Sequence, residues 1–516
     1  LLVTLFMMGL HSTLFGPIKY SIIQDLLHED QLLAGNAAIE SGTFLAILIG
    51  TILGGLSAAS ASSEFVIAVG LLGVAFFGLV AAYKVPQVPI ADASIKLALN
   101  PLPQIWHTIK IPMHNRAVFN SILGISWFWF LGAAILSVLP VITSDILHAS
   151  EHVVTLFLAM FTIGIATGAV LCEKLSFQRL EIGLVPWGSL GMTLFLVDFA
   201  IAVFCWQSDF AGAAAPLLSL GEFIHKPHAV RMMVDLFMIS VFGGLFTVPL
   251  YTLIQERSDR KILSRIIASN NILNALFMVV SSGLLIALYH FKFSMPQIIF
   301  IFAGLNLLVS IYIYSIVPEF TLRFLGWVIS RLIYRIRVRG ITHIPKTGAA
   351  VIVSNHISFV DWLIISAAIQ RPIRFVMYYK YAKIPLMRYL LKHARVILIA
   401  GKNENREIFD RAFDTVASEL INGELVCIFP EGGLTPDGNV QTFKKGIEHI
   451  VGRTPVPVIP LALSGMWDSI FSRKKQGLAS FIPKKIWFHV DVRIGEPIAP
   501  SKATATMLEA QVKGLL

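Results

Sequence analysis

Apolar residues follow two patterns along this chain, and the pattern changes once, near residue 320. Before that point come about nine apolar runs, at roughly 1–23, 32–57, 64–83, 117–143, 153–172, 183–206, 232–254, 267–290 and 297–317. Each approaches the ~20 residues that a helix needs to cross a bilayer. After it, short apolar runs alternate with helical stretches. Strands are predicted at 337–341, 349–353, 373–377, 395–399, 425–429, 456–461 and 485–493, and helices at 358–369, 382–393, 404–421 and 441–451. The fold class expected is a multi-span α-helical membrane domain followed by an α/β domain, with any site of the latter at its strand ends.

Composition supports the division. Of 516 residues, 56% are hydrophobic and only 14% charged, which excludes an ordinary soluble protein. Residues 1–318 carry 14 Lys and Arg against 16 Asp and Glu, whereas 319–516 carry 27 against 15. A basic domain beside a membrane attracts anionic head groups, so lipid is the expected partner. Nucleic acid is not expected, because the Lys and Arg are not interleaved with aromatic residues as a stacking platform requires. Cys172, Cys205 and Cys427 are far apart and lack metal-ligand spacing; they are expected as reduced structural thiols, and no metal is expected.

Loop charge gives an orientation. If the loop after the third span is cytoplasmic, that side holds Lys19, Lys84, Lys96, Lys110, Arg116, Lys174, Arg179, Arg257, Arg260, Lys261 and Arg265, against Lys226, Arg231 and Lys292 opposite. The positive-inside rule then puts the C-terminal domain in the cytoplasm. Residues 319–340, with Arg323, Arg331, Arg335 and Arg339 on one broad side of a helix, read as a basic segment lying in the head-group layer and joining domains at 1–318 and 341–516.

The candidate chemistry begins at Ser354-Asn355-His356-Ile357-Ser358-Phe359-Val360-Asp361. Five residues separate His356 from Asp361, which on one helix would turn the side chains about 140° apart. A strand, a turn and a helix start must bring them together. Ser358 to Asp361 reads as a capping box opening the helix, with His356 in the loop before it. There the carboxylate could orient the imidazole as a general base, or Asp361 could be a plain helix cap. Two further stretches accompany this one. Leu425 to Phe429 is a buried strand running into Pro430-Glu431-Gly432-Gly433, and Val456-Pro457-Val458-Ile459-Pro460 is a short strand bracketed by prolines.

Asn-His-x-x-x-x-Asp, Phe-Pro-Glu-Gly and Val-Pro-Val-Ile-Pro, in this order, resemble blocks one, three and four of the glycerolipid acyltransferase family over about residues 319–516. The resemblance implies that His356 deprotonates a glycerol hydroxyl for attack on an acyl thioester, with Asp361 orienting it. It implies acceptor binding by Asn355, Glu431 and Gly432, and a site shaped by Pro460. No bound cofactor is implied; the acyl donor would be an acyl carrier protein or coenzyme A thioester. Two departures stand out. The Arg that ends block two is absent, the strand running instead through Ala400-Gly401 to Lys402, which would serve as a point charge without a fork. After Glu431-Gly432, Gly433 and Leu434 replace the usual Thr and Arg. Both favour lysophosphatidylethanolamine over lysophosphatidic acid, whose phosphomonoester wants strong cationic clamps.

Residues 1–318 resemble the bacterial lysophospholipid transporter branch of the major facilitator superfamily, through Gly16-Pro17-Ile18-Lys19-Tyr20, Gly35-Asn36-Ala37-Ala38-Ile39-Glu40 and Pro249 to Glu256 followed by Arg265. Three spans precede the loop 84–116 and six follow it, so three leading spans are expected before Leu1 in a six-plus-six fold. Glu40, with Lys19 and Asn36, is a transport candidate because a charge inside lipid is costly; the alternative for Glu40 is a group that snorkels or pairs within the bundle. Asp198, mid-span, is expected to pair between helices. The combined expectation is a bacterial inner-membrane protein that moves lysophospholipid to the cytoplasmic leaflet and re-acylates it. Two alternatives stay open: a lysophosphatidic acid acyltransferase whose spans are an anchor, and a transporter with an inactive second domain.

Overall fold

The computed structural model describes residues 2–28, 31–58, 63–88, 101–176, 181–209, 217–316, 488–516 and, with short gaps, 333–467, together with Gly326, Val328, Ser330, Ser469, Phe471 and Ser472. The chain divides into two units, Leu1–Ile316 and Val317–Leu516.

The first unit is helical. Its elements are α1 (Leu2–Ser21), α2 (Ile23–Leu26), α3 (Leu32–Ala58), α4 (Ser63–Tyr83), α5 (Pro101–Lys110), α6 (Arg116–Val141), α7 (Glu151–Leu175), α8 (Leu184–Asp209), α9 (Leu220–Ile224), α10 (Ala229–Glu256), α11 (Arg260–His290) and α12 (Met295–Ile316). Among the described residues eight helices, α3, α4, α6, α7, α8, α10, α11 and α12, are long and apolar enough to cross a membrane. The sequence pattern predicts nine. Its first run, 1–23, does form α1, but that helix is not among the eight.

Helix α10 packs against α7 and α8, α12 against α8, α11 against α6, and α3 against α7. The α7–α10 approach depends on small residues, as is usual where lipid removes the hydrophobic drive between helices. A Cβ at Gly168 would collide with the Val241 backbone, and one at Gly164 with Ser240 and the Phe237 carbonyl. One apolar core gathers Leu139, Phe157, Phe199, Leu236 and Phe302. A second gathers Tyr20, Phe44, Ile125, Phe246 and Ile267.

The second unit is a seven-stranded sheet in the order β1-β7-β6-β2-β5-β3-β4. The strands are β1 (Tyr334–Arg339), β2 (Ala350–Ser354), β3 (Ile373–Tyr378), β4 (Ile397–Ile399), β5 (Leu425–Ile428), β6 (Val458–Ser464) and β7 (Phe488–Ile494). Helices α13 (Asp361–Ala368), α14 (Arg406–Ile421), α15 (Gly446–Arg453) and α16 (Ala505–Leu515) cover it. All neighbouring pairs run parallel except β6 and β7.

Strand β2 is buried throughout, as a central parallel strand must be. Its alternation divides the core. Ala350 and Ile352 face a cluster containing Ile364 and Ile365 of α13. Val351 and Val353 face a cluster containing Val416 of α14 and Ile447 of α15. The connection leaving β2 therefore runs over one face and the one leaving its neighbour β5 over the other. Diverging loops of this kind open a crevice at the C-terminal strand ends, where open α/β sheets bind ligands.

Three sequence expectations need correction. The basic helix over 319–340 does not reach its end, because Tyr334–Arg339 is a strand; most of 317–332 lies outside the described residues. The alternation of Tyr334, Ile336 and Val338 with Arg335, Arg337 and Arg339 is a period of two, and pairing with β7 satisfies it. The helix expected at 441–451 begins only at Gly446, because residues 435–441 are held in a hydrogen-bonded loop. Helix α16 is an addition to the elements the sequence pattern predicts. The helix expected at 382–393 is preceded by a 3-10 helix, Tyr379–Lys383; Met387, Arg388, Leu391 and Lys392 are helical, and residues 385, 386, 389, 390 and 393 lie outside the described residues.

Candidate active site

His356 follows the end of β2, and Asp361 is the first residue of α13. The turn between them curls so that one carboxylate oxygen, Asp361 Oδ2, accepts three hydrogen bonds: from His356 Nδ1 at 2.9 Å, the Ile357 backbone N–H at 2.7 Å and the Ser358 backbone N–H at 2.9 Å. Asp361 is fully buried. Burial pushes its carboxyl up from the ordinary range, opposed by the His356 hydrogen bond and charge and by the two backbone donors. With Nδ1 donating to Asp361, the lone pair of the ring lies on Nε2, the arrangement a general base needs. The His356 side chain keeps 22% of its surface open, and its ring stacks on Phe429 at 4.2 Å.

The capping box is only half made. Asp361 does accept from the Ser358 N–H, but α13 begins at Asp361 with Val360 as an N-cap that offers no side-chain bond. The Ser358 hydroxyl instead donates to the Phe471 carbonyl. Orienting the imidazole and closing the turn are thus both done by one carboxylate.

Glu431 lies in the turn after β5, the strand beside β2. Its Oε1 accepts the His356 backbone N–H at 3.0 Å, and the Thr435 N–H donates to the His356 carbonyl at 2.9 Å. The main chain of the base is thereby clamped on both sides by the loop that Pro430-Glu431-Gly432-Gly433 opens. Burial pushes the Glu431 carboxyl up from 4.5 to about 7, opposed by its backbone donors and by His356. Glu431 is thus buried, with Oε1 bonded to the main chain of the base; the family resemblance implies a part for it in acceptor binding.

Asn355 is likewise turned inward. Its amide donates to the Leu463 carbonyl at 3.0 Å and accepts the Leu463 N–H at 2.8 Å, tying the end of β2 to β6. Pro460, also buried in β6, sits beside Val353 of β2 at the margin of the β6–β7 ladder, which is where a residue without an N–H is tolerated. Its carbonyl accepts the Gly495 N–H at 2.8 Å. Gly432 has φ of +74° and closes a turn on Phe429, and a Cβ there would overlap Lys444 Nζ. Lys402, exposed after β4, is on the same strand-end edge but three strands from β2, about 14 Å by strand spacing.

Leu463, Thr435 and Lys444 escape the sequence reading. The first two act through their backbones and leave no signal in a motif. Lys444, in Phe443-Lys444-Lys445-Gly446 just before α15, is visible as half of a basic pair opening a helix.

In the membrane unit the three transport candidates come together. Glu40 is buried and accepts the Tyr20 hydroxyl at 2.7 Å; Lys19 Nζ donates to Thr43 at 3.0 Å and lies 4.7 Å from the centre of the Tyr20 ring. Asn36 is fully buried between α3 and α10, donating to Gln255 and to Thr252, while Gln255 Nε2 donates back to Asn36 and to the Tyr20 carbonyl. The polar contacts of Glu40 fit pairing within the bundle as well as transport. Asp198 is paired, as expected, with Arg231. The three cysteines are free thiols, and among the described residues no group of His, Cys, Asp and Glu could hold a metal.

Comparison with known proteins follows the same division. Residues 335–464 match the Acyltransferase family. The lysophospholipid transporter LplT of Cronobacter sakazakii is 28% identical over 259 residues, covering 50% of this chain and 58% of the relative. That of Klebsiella pneumoniae subsp. pneumoniae is 26% identical over 283 residues, covering 54% and 64%. The chain thus spans less than two thirds of the length of these curated relatives. Among solved structures, the crystal structure of the 1-acyl-sn-glycerophosphate (LPA) acyltransferase PlsC from Thermotoga maritima is similar at 25% identity, covering 39% of this chain and 78% of that one with a TM-score of 0.30. The chain joins a multi-pass membrane domain similar to lysophospholipid transporters to an α/β domain that matches the Acyltransferase family.

Proposed function

We propose that the protein moves lysophospholipid across a bacterial inner membrane to the cytoplasmic leaflet, and that its second domain re-acylates the lipid there from an acyl carrier protein or coenzyme A thioester. The observation that carries the catalytic half is the His356 Nδ1 to Asp361 Oδ2 bond of 2.9 Å, which leaves Nε2 basic at the crevice above β2 and β5. Nε2 takes the proton of a glycerol hydroxyl as its oxygen attacks the thioester carbonyl. The tetrahedral oxyanion collapses, the C–S bond breaks, and the imidazolium returns its proton to the departing thiolate. The N–H groups of His356, Ile357 and Ser358 are already committed to carboxylates, so the oxyanion draws its donors from elsewhere.

For the acceptor phosphate, Lys444 is the cation best placed, its amine lying over Gly432. One ammonium suits a phosphodiester, which bears a single charge, better than a phosphomonoester. That supports lysophosphatidylethanolamine as acceptor. The acyl-transfer half is tested with purified protein in detergent, lysophosphatidylethanolamine and each thioester: release of free thiol together with diacyl product supports it. Thiol release without diacyl product, or no reaction with either donor, contradicts it.

A further inference from the structure

A second cluster of charges, unconnected with Glu40, lies between α8 and α10. Asp198 is mid-helix in α8; Arg231 and Asp235 are one turn apart on α10. Arg231 is committed to Asp198 in a forked pair, Nε donating to Oδ2 at 3.0 Å and the terminal nitrogen to Oδ1. Asp235 is 1% exposed, its carboxyl contacts that of Asp198, and its Oδ2 is buried without a hydrogen-bond partner. Leu196 and Phe199 of α8 and Met232 and Leu236 of α10 belong to the buried apolar core of this unit.

The charges do not balance. One guanidinium neutralises one carboxylate, and Asp198 has taken it on both oxygens. An ionised carboxylate has no proton to donate, so two carboxyls in contact form a hydrogen bond only when one of them is protonated. The charges acting on Asp235 come from Asp198 and Arg231. Those acting on Arg231 come from the two aspartates and Cys205 of α8. No second cation answers Asp235 from α7, α9 or α12 among the described residues. Ionisable groups within spans are costly unless they work.

We propose that Asp235, with Asp198 and Arg231, is a proton-binding site of the membrane domain. With the Arg231–Asp198 fork closed, Asp235 holds a proton on one carboxyl oxygen and donates it to Asp198. When Arg231 turns to Asp235, that O–H bond breaks and the proton leaves to water. The fork thus has two partners, Asp198 on α8 and Asp235 one turn along its own helix, so protonation and the relation of α8 to α10 are linked. The coupling of this proton to lysolipid movement rests on the transport reading above; the binding of the proton does not.

The test is infrared difference spectroscopy on the full chain in nanodiscs, followed by uptake. At neutral pH the wild-type minus Asp235→Asn spectrum is expected to contain the carbonyl stretch of a protonated carboxyl, titrating away at high pH, and Asp235→Glu to restore it shifted. Asp198→Asn is expected to abolish the band although Asp235 is intact, because the freed Arg231 then ionises it. A wild type without the band, or a band that survives in Asp198→Asn, overturns the site. In proteoliposomes an imposed pH gradient should change wild-type uptake of lysophosphatidylethanolamine and leave Asp235→Asn unmoved; equal response of both overturns the coupling. Failure of every form to take up lipid sinks the transport reading alone, and the spectra still decide whether the site binds a proton.

Discussion

Glu431 and His356, 75 residues apart in the chain, are joined by a 3.0 Å hydrogen bond from the backbone N–H of the histidine to a buried carboxylate oxygen. The base is therefore held by the loop after β5 as well as by its own turn. Because burial raises the Glu431 carboxyl from 4.5 to about 7, the folded chain binds more protons than the unfolded one between those values. Its stabilising contribution is full below about 4.5 and is lost as pH rises to about 7, on the order of 3 kcal/mol. Glu431→Gln keeps the acceptor and removes the titration. Thermal unfolding of the full chain in detergent is expected to lose its decline over that window in the variant, while most of the activity stays.

Asp361→Asn should cost far more activity than stability. An amide whose oxygen takes the place of Oδ2 still accepts from Nδ1 and from the Ile357 and Ser358 N–H groups, but it no longer carries the charge that stabilises the imidazolium formed when Nε2 takes the proton. The expected result is a fall in kcat on the order of 10²–10⁴ with little change in KM for the lysolipid. Equal loss in kcat and thermal stability would mean that Asp361 is a cap and no more.

Asn355→Ala separates a positioning role from a substrate contact. It leaves both the N–H and the carbonyl of Leu463 unpaired in the core, at a cost of about 2–4 kcal/mol. A lower unfolding midpoint with unchanged KM in the surviving folded protein is expected. A raised KM at unchanged stability would restore the acceptor-binding role.

Lys444→Ala is expected to raise KM for lysophosphatidylethanolamine roughly 10-fold with kcat nearly unchanged, the size of one charge-assisted hydrogen bond to a phosphate. Lys402→Ala, three strands away from β2, should change neither. Steady-state kinetics with varied lysolipid checks both.

Asn36→Leu removes the amide that joins α3 to Gln255 of α10. Uptake into proteoliposomes should fall by about 10-fold or more, and acyl transfer measured in detergent, where no crossing is needed, should be unaffected.

Much of the architecture is legible in the sequence because it is local. Span lengths are set by the bilayer, and His356 and Asp361 lie within one turn, so their spacing alone requires a strand end and a helix start. What stays hidden depends on contacts between distant segments. Nothing in Asn355 announces that Leu463, 108 residues on, will occupy its amide, and nothing in Glu431 tells an inward carboxylate from an outward one. The basic segment misleads for another reason: Tyr334 to Arg339 fits both periods over a short window, and the exposed edge of β7 decides for the strand. In the membrane domain Asp198 is visible as a costly charge, but Asp235, on a different helix, shows its relation to it only once α8 and α10 are packed together.

The proposed function turns on whether one chain moves a lysolipid and then acylates it with His356 as base. Sealed proteoliposomes with acyl thioester in the lumen and labelled lysophosphatidylethanolamine added outside decide this, with wild type set against His356→Ala. Diacyl lipid in the inner leaflet is expected for wild type, and unmodified lysolipid in the same leaflet for the variant. Normal acylation by His356→Ala would remove the base, and label that never leaves the outer leaflet in either form would remove the transporter.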